Sequence, residues 1–586
     1  MNRSELIEAA LGKRPLDLVI QNVQLVNVYT GEIYPADIGI YRNYIAHVTV
    51  PGEEPLEGKT VISGQGKWAI PGFIDTHVHI ESSMMNSLNF ARVVLPHGTT
   101  TVLTDPHEIA NVLGLRGVKY MVDSSEGLPL RIYILAPSCV PAVPGLETAG
   151  ADFLAEDIET MLSWNRVLGL AEVMDYYGVI YQSPRMNSIL DVVRRSGGII
   201  QGHSPFLRGR ELSAYLCAGP DSDHEVMLGD DTLTKLRAGM IVDAKESSIV
   251  KNIKEIVGAY KELAFPPNMT FCTDDREAGD LLHEGHMDQV VRRAIEEGLP
   301  PAIAIRIATL QAANRLGFKD FGAIAPGKVA DIVLLDDLKK VKVNEVFVDG
   351  KLVAQGGKLV AELPELSFPV EKENTVFLRK ELSAADFELK APADARDKVK
   401  TRILSYAPGA ALRTEFEVQD LPVQDGLVAY NEVPGLNLVT VIERHGRTGN
   451  QSYGVLKGFG LKKGAIASTI SHDSHNLTVV GTNAADMFKA AQELVQCGGG
   501  IVCVHDGQVL AKLELPVAGL ISTRPAEELA PVIAKMKETM RELGLEGADP
   551  LLRVATLTLP VIPKAKITDK GLVDVDNQQL VPLFEN

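Results

Sequence analysis

The stretch Ala69–Met84, "AIPGFIDTHVHIESSM", sets His77 and His79 two residues apart behind an apolar run and a Pro-Gly. Asp75 precedes the pair and Glu81 follows it. On a strand, residues i and i+2 point to the same face. Two imidazoles on one face suit a single small target, and the commonest such target is a metal ion. A pair of half-exposed loop histidines has the same spacing, so the rest of the chain has to decide.

From about 71 to 315, short apolar runs alternate with helical stretches. The runs are "TTTVLTD", "RIYILAPS", "VLGLAEVM", "GGIIQGHS", "GMIVDAK" and "MTFCTDD"; "NSLNFARVVLPHG" and "MDQVVRRAIEEG" are two of the helices. Such alternation implies parallel β/α units. Each run ends in polar, chemically useful residues, as in a (β/α)8 barrel, whose active site sits at the C-terminal ends of its strands. Listing those ends gives His77, His79, Glu172 and His203, then Asp274, with His224 in the stretch "GPDSDHEVM". Taken singly, a His beside a Gly is more often a hydrogen-bonded loop residue, and a strand-end Asp more often caps the next helix. Taken together, they are the residue types that bind divalent metals, on tips that one architecture brings to one rim.

The flanks read differently. Residues 17–50 alternate apolar and polar in short runs, and the texture returns in "FGAIAPGKVADIVLLDDLKKVKVNEVFVDGKLVAQGGKLV". These are antiparallel strand and hairpin signals. The expected organisation is a small β domain, of β-sandwich type, from 1–70 plus 316–370, with the barrel at 71–315 inserted in it. A charged linker at 371–399 leads to a C-terminal α/β domain at 400–586.

The chain has 586 residues, too many for one core at about 150 per domain. Its net charge is −18 with no long basic stretch. That argues against nucleic acid or an anionic membrane as partner. No apolar run approaches the ~20 residues of a membrane helix, and the N-terminus has no signal-peptide core. The five cysteines are few and odd in number, without a C-x-x-C pair, and read as reduced thiols of a cytoplasmic protein.

"PGFIDTHVH", followed by strand-end Glu, His, His and Asp and by the exit "GAIAPGKVADIVLLD", resembles the amidohydrolase superfamily. "HVHIESSMM", "TDPHEIANV", "TDDREAGDLLHEGHMD" and "FGLKKGAIASTISHDSHNLTVVGTN" are similar to its adenine deaminase branch. The resemblance implies conversion of adenine and water to hypoxanthine and ammonia at a binuclear divalent centre. His77 and His79 then match the first-strand pair on the more buried metal. Glu172 stands where many relatives carry a carboxylated lysine and bridges the two metals. His203 and His224 match the fifth- and sixth-strand ligands, and Asp274 the eighth-strand aspartate.

Attack at C6 of adenine needs a hydroxide, which a metal supplies by lowering the pKa of water from ~16 towards ~7. Asp274 accepts its proton; Glu81, His107 and Glu108 are candidates to protonate the departing amino group or to grip the purine edge. Ligation without sulfur permits zinc, manganese or iron, and the resemblance favours manganese or iron. A homo-oligomer, dimer or larger, is expected.

Two rival readings remain: another amidohydrolase, acting on a cyclic amide or a different nucleobase, and a non-catalytic assembly protein on the same fold. The first usually carries the lysine that is missing here; the second tends to lose ligands. In the C-terminal domain, "TISHDSHN" packs His472, Asp473 and His475 into four residues. A polar turn bonded to its own backbone accounts for it. The other expectation is that it faces the barrel mouth and helps close the site.

Overall fold

The structure, a computed structural model, describes residues 3–406, 412–547 and 549–585. Eight strands form a barrel: Phe73–His79, Thr99–Thr104, Arg131–Ala136, Val167–Val173, Ile199–Gly202, Ser222–Asp223, Ile241–Lys245 and Met269–Cys272. The eighth strand continues as Asp274–Asp275, and this extension closes the ring. Asp274 pairs with Val78 and Asp275 with His79, in parallel. At the junction of the fifth and sixth strands, the Asp221 N–H donates to Ile200 O at 3.0 Å. The first two strands are buried along their whole length, because helices cover one face and the barrel interior the other.

Polar groups inside the barrel fix its upper end. Asp75 accepts from Thr273 Oγ1 at 2.5 Å, from the Thr273 N–H at 3.2 Å and from the His77 N–H at 3.3 Å. It thereby ties the first strand to the bend that precedes Asp274. Lys235 does the same for the fifth and sixth strands. Its ammonium donates to Ser204 O at 2.9 Å, to Asp231 at 2.8 Å and to Asp223. Lys235, Asp223 and Asp231 are all fully buried. Gly202 lets the two strands approach: a Cβ there would meet Ser222 O at 2.2 Å.

The chain on either side of the barrel joins one nine-stranded sheet. Trp68–Pro71 runs parallel to Leu16–Val26 and antiparallel to Ile332–Asp337. Its core includes Ile20, Val23, Ile38, Ile40, Leu334 and Phe347.

The C-terminal domain holds a second nine-stranded sheet, antiparallel except where Lys398–Tyr406 meets Gln451–Lys457. Helix Ala484–Gln496 buries Met487, Ala490 and Leu494 in that domain's own core. Helix Ala526–Glu542 instead packs Leu529, Ile533 and Met536 into the cluster that contains the barrel helices. Residues 371–399, expected as a linker, do connect the two parts but are not free chain. Phe387 is 0% exposed and Leu389 3%, both in the C-terminal core, and the Phe377 N–H donates to Arg444 O at 2.7 Å. The charged letters of that stretch conceal these two apolar anchors.

Replacing Lys235 with Met leaves two buried carboxylates without their cation. A loss of about 3–5 kcal/mol in stability is expected, checked by urea unfolding of the full chain.

Candidate metal centre and active site

The strand ends meet at one rim. His77 Nε2 and His79 Nε2 lie 3.1 Å apart and face Asp274 Oδ1 at 3.7 and 3.3 Å. Glu172, at the end of the fourth strand, points Oε1 at His79 Nε2 across 3.4 Å. Its Oε2 sits 2.5 Å from His203 Nδ1 and 3.3 Å from His224 Nε2. His224 follows directly on a sixth strand of only two residues, which is why "PDSDHEV" does not read as a strand. The ligand atoms of His77, His79 and Asp274 lie within 4.8 Å of one another, and so do those of His77, Glu172 and His224. Glu172 thus faces His79 through Oε1 and His203 with His224 through Oε2.

Tautomers test whether a cation fits. Gln201 donates its amide N–H to Thr76 O at 2.6 Å, so its Oε1 faces His77 Nδ1 at 2.8 Å as an acceptor. His79 Nδ1 lies 3.0 Å from Asp105 O, which can only accept. Both Nδ1 atoms thus carry hydrogen, and both Nε2 atoms present lone pairs. Two lone pairs and a carboxylate oxygen converging at this range call for positive charge among them. The residues fit a divalent cation, and the donor set is nitrogen and oxygen without sulfur.

The electrostatics agree. Burial opposes charge on His79, yet Asp274 and Glu172 hold its pKa well above the usual value, so these groups draw a proton to Nε2 wherever no metal cation stands among them. Burial likewise opposes ionisation of Glu172, yet His203 and His224 keep it well below the carboxylate range. Asp274 is also buried, but Lys245, with His77 and His79, keeps it ionised. Lys245 ends the seventh strand and donates to Asp274 Oδ2 at 2.6 Å and to Glu225. Asp274 holds a left-handed backbone, φ 56°, of the kind that collects at functional sites.

Above this cluster a cleft of about 260 Å³ is lined by His79, His107, Glu172, His203, Lys245 and Asp274 on the barrel side. Its opposite wall comes from the C-terminal domain, through His472, Asp473, Leu552, Thr556 and Leu559. His107 Nδ1 lies 3.1 Å from Asp105 Oδ2 and 3.6 Å from Glu172 Oε1. Glu108 bridges to the other domain: its Oε1 is 3.0 Å from His472 Nδ1, and its Oε2 bonds His475 Nε2. The Ser471 N–H donates to His475 Nδ1 at 3.2 Å, so His475 Nε2 carries the hydrogen and donates it to Glu108. This trio also has metal-like spacing, but a protonated Nε2 makes it a hydrogen-bonded latch. Despite burial, Glu108 raises the pKa of His472 to about 9. Asp473, pushed to about 6 mainly by burial, leaves Oδ2 without a donor. Glu81 does not line this cleft; it faces a neighbouring chamber.

The sequence carries the same signature. Residues 68–353 match the Amidohydrolase family and 411–579 the Adenine deaminase C-terminal domain. The chain is 43% identical to the adenine deaminase of Moorella thermoacetica over 583 residues, covering 99% of this chain and 98% of that one. It is 40% identical over 585 residues to the adenine deaminase of Kosmotoga olearia, covering 100% and 99%. This chain belongs to the adenine deaminase family. A crystal structure of a beta-aspartyl dipeptidase from Fervidobacterium islandicum AW-1 overlays 61% of the chain with a TM-score of 0.45 at 18% identity, covering 99% of that chain.

In this adenine deaminase family member the strand-end rule missed Lys245, Glu225, Asp105 and Gln201. Lys245 closes "GMIVDAK" and could have been taken from that rule. Gln201 lies two residues before His203, on the same strand face. Asp105 closes "TTTVLTD" in the same way as Lys245 closes its run, whereas Glu225 had no such signal.

Replacing His79 with Ala is expected to remove most of the bound divalent metal, read by elemental analysis of the purified protein. Metal content equal to wild type would falsify this assignment of the centre.

Proposed function

We propose that the protein hydrolyses adenine to hypoxanthine and ammonia at a binuclear divalent centre. The observation that carries this is the convergence of His77, His79 and Asp274 at one point, which opens on a cleft walled by the domain typical of adenine deaminases. His77, His79, Asp274, Glu172, His203 and His224 would hold the metals, with Glu172 between them. Manganese or iron is the assignment we favour, and the nitrogen and oxygen donors also suit zinc. A bound cation of this kind supplies Lewis acidity that ionises water near neutral pH.

The chain's own residues do the rest. Asp274, held ionised by Lys245, takes the proton released as water attacks C6. The amino group leaves badly as an amide ion and needs a proton. His107 on the barrel side, and Glu108 with His472 at the boundary to the C-terminal domain, are the titratable groups placed to supply it. Leu552 and Leu559 give the cleft apolar surface for the flat purine ring, and Asp473 Oδ2 offers an acceptor for a ring N–H. His472 and His475 close the site by fixing Glu108. Five free thiols suit a reducing, cytoplasmic location, and a homo-oligomer belongs to the same reading.

Ammonia release measured on adenine, adenosine, cytosine, guanine and a hydantoin should be confined to adenine. Asp274→Asn should lower adenine turnover at least ~10²-fold with the fold intact. An unchanged turnover and pH–rate profile would remove Asp274 as the proton acceptor. Substituting Asn at both His472 and His475 should raise KM or lower turnover while metal content stays at the wild-type level. Kinetics indistinguishable from wild type would end the closing role.

A further inference from the structure

Behind the cleft lies a second, smaller chamber. The two share the side chains of Glu108, Asp275, His472, Ile249 and Leu552 as a common wall. The chamber has about 70 Å³ of free volume against about 260 Å³ in the cleft, so the purine belongs to the cleft and the chamber suits a smaller molecule. Apolar residues such as Met84, Ile470 and Leu520 form much of its lining. Most of its charged groups are carboxylates: Glu81, Glu108, Asp275, Glu277 and Asp549, against Arg276 and the imidazoles of His472 and His475.

Most of these groups already have partners. Glu277 and Asp549 share the Lys537 ammonium at 2.6 and 2.7 Å. Asp275 accepts from Ser82 Oγ at 2.6 Å, and Glu108 is held by His472 and His475. Arg276 donates through its two terminal nitrogens to Glu246 O, Gln289 and Glu284, and its buried Nε has no acceptor. Glu81 differs. It is 3% exposed, its Oε1 accepts only a long bond from the Ile109 N–H at 3.3 Å, and its Oε2 has no donor. A buried carboxylate oxygen without a donor is costly unless something supplies one.

We infer that this chamber binds ammonium, with Glu81 Oε2 as its main acceptor and Asp275, on the shared wall, as a second. Ammonium brings N–H donors and no acceptor, which matches the unpaired Glu81 Oε2 and the predominance of carboxylates in the lining. It is small enough for the space, and it derives from the reaction assigned to the adjoining cleft. The inference rests on that reading of the cleft. It makes Glu81 a product-binding residue and not a member of the metal centre.

The full-length metal-loaded enzyme tests it without turnover. Thermal unfolding is followed as sodium chloride is exchanged for ammonium chloride, or for potassium chloride, at constant ionic strength. Ammonium should raise Tm saturably and more than potassium. Glu81→Gln should shift the ammonium midpoint upward at least about tenfold, as loss of a hydrogen bond to a charged group implies. An ammonium response no larger than that of sodium or potassium overturns the proposal, and so does a midpoint unchanged in the variant. In initial-rate kinetics ammonium should inhibit wild type noncompetitively with adenine; competitive inhibition would put it over the metal ligands instead. Because the Tm readout needs no turnover, ammonium binding by a protein inactive on adenine would sink the functional reading alone. A working deaminase indifferent to ammonium would sink only this one.

Discussion

Two histidine lone pairs and a carboxylate oxygen, aimed at one point inside a closed barrel, are the constraint on which the rest depends. Neither His77 nor His79 can relieve the crowding by turning its hydrogen inward, because Gln201 and Asp105 O hold each Nδ1–H on the far side of the ring. The second layer is as fixed as the first. Gln201 is oriented by Thr76 O, Asp75 holds the bend before Asp274, and Lys245 bonds the aspartate from behind. Positive charge among these groups relieves the arrangement, and the hydrogen bonds that aim the ligands are the same ones that hold the upper end of the barrel.

The other half of the site is borrowed. The turn that carries His472 and His475 is held from inside its own domain. Arg444 is fully buried and donates to His475 O, to Ala518 O at 2.8 Å and to Thr375. It has backbone and hydroxyl oxygens for partners and no carboxylate, and burial lowers its pKa to about 9. Its guanidinium thus ties that turn to Ala518 and Thr375 at once. Across the domain boundary, Asn476 donates to Thr148 O at 2.8 Å and the Ser522 N–H to Met84 O at 2.8 Å. The latch on Glu108 is thus anchored on both sides, as a polar wall that must exclude water requires.

The sequence was legible where local pattern and global architecture coincide. Strand-end polarity pointed to His77, His79, Glu172, His203 and Asp274 because a parallel strand buried on both faces has few other places for such residues. His224 was obscure because its strand is two residues long, held by Lys235 and not by a hydrophobic run. Which groups oppose one another across a domain boundary has no period in the sequence. Hence the bond between Glu108 and His475, 367 residues apart, could not be read from either segment. The same holds for Glu81: its letters place it beside the histidine pair, while the 3-10 turn Ile80–Ser83 carries it round to the neighbouring chamber.

That long separation bears on how the protein is made. Every barrel strand is synthesised by residue 275, whereas His472 and His475 emerge some two hundred residues later, and the cleft wall around Leu552 and Leu559 later still. At roughly 5–20 residues per second, the ribosome leaves the barrel rim open for on the order of ten seconds or more. During that interval the ligands are exposed to whatever ions the surroundings offer. A metal ion captured in that interval would reach its ligands before the wall is in place.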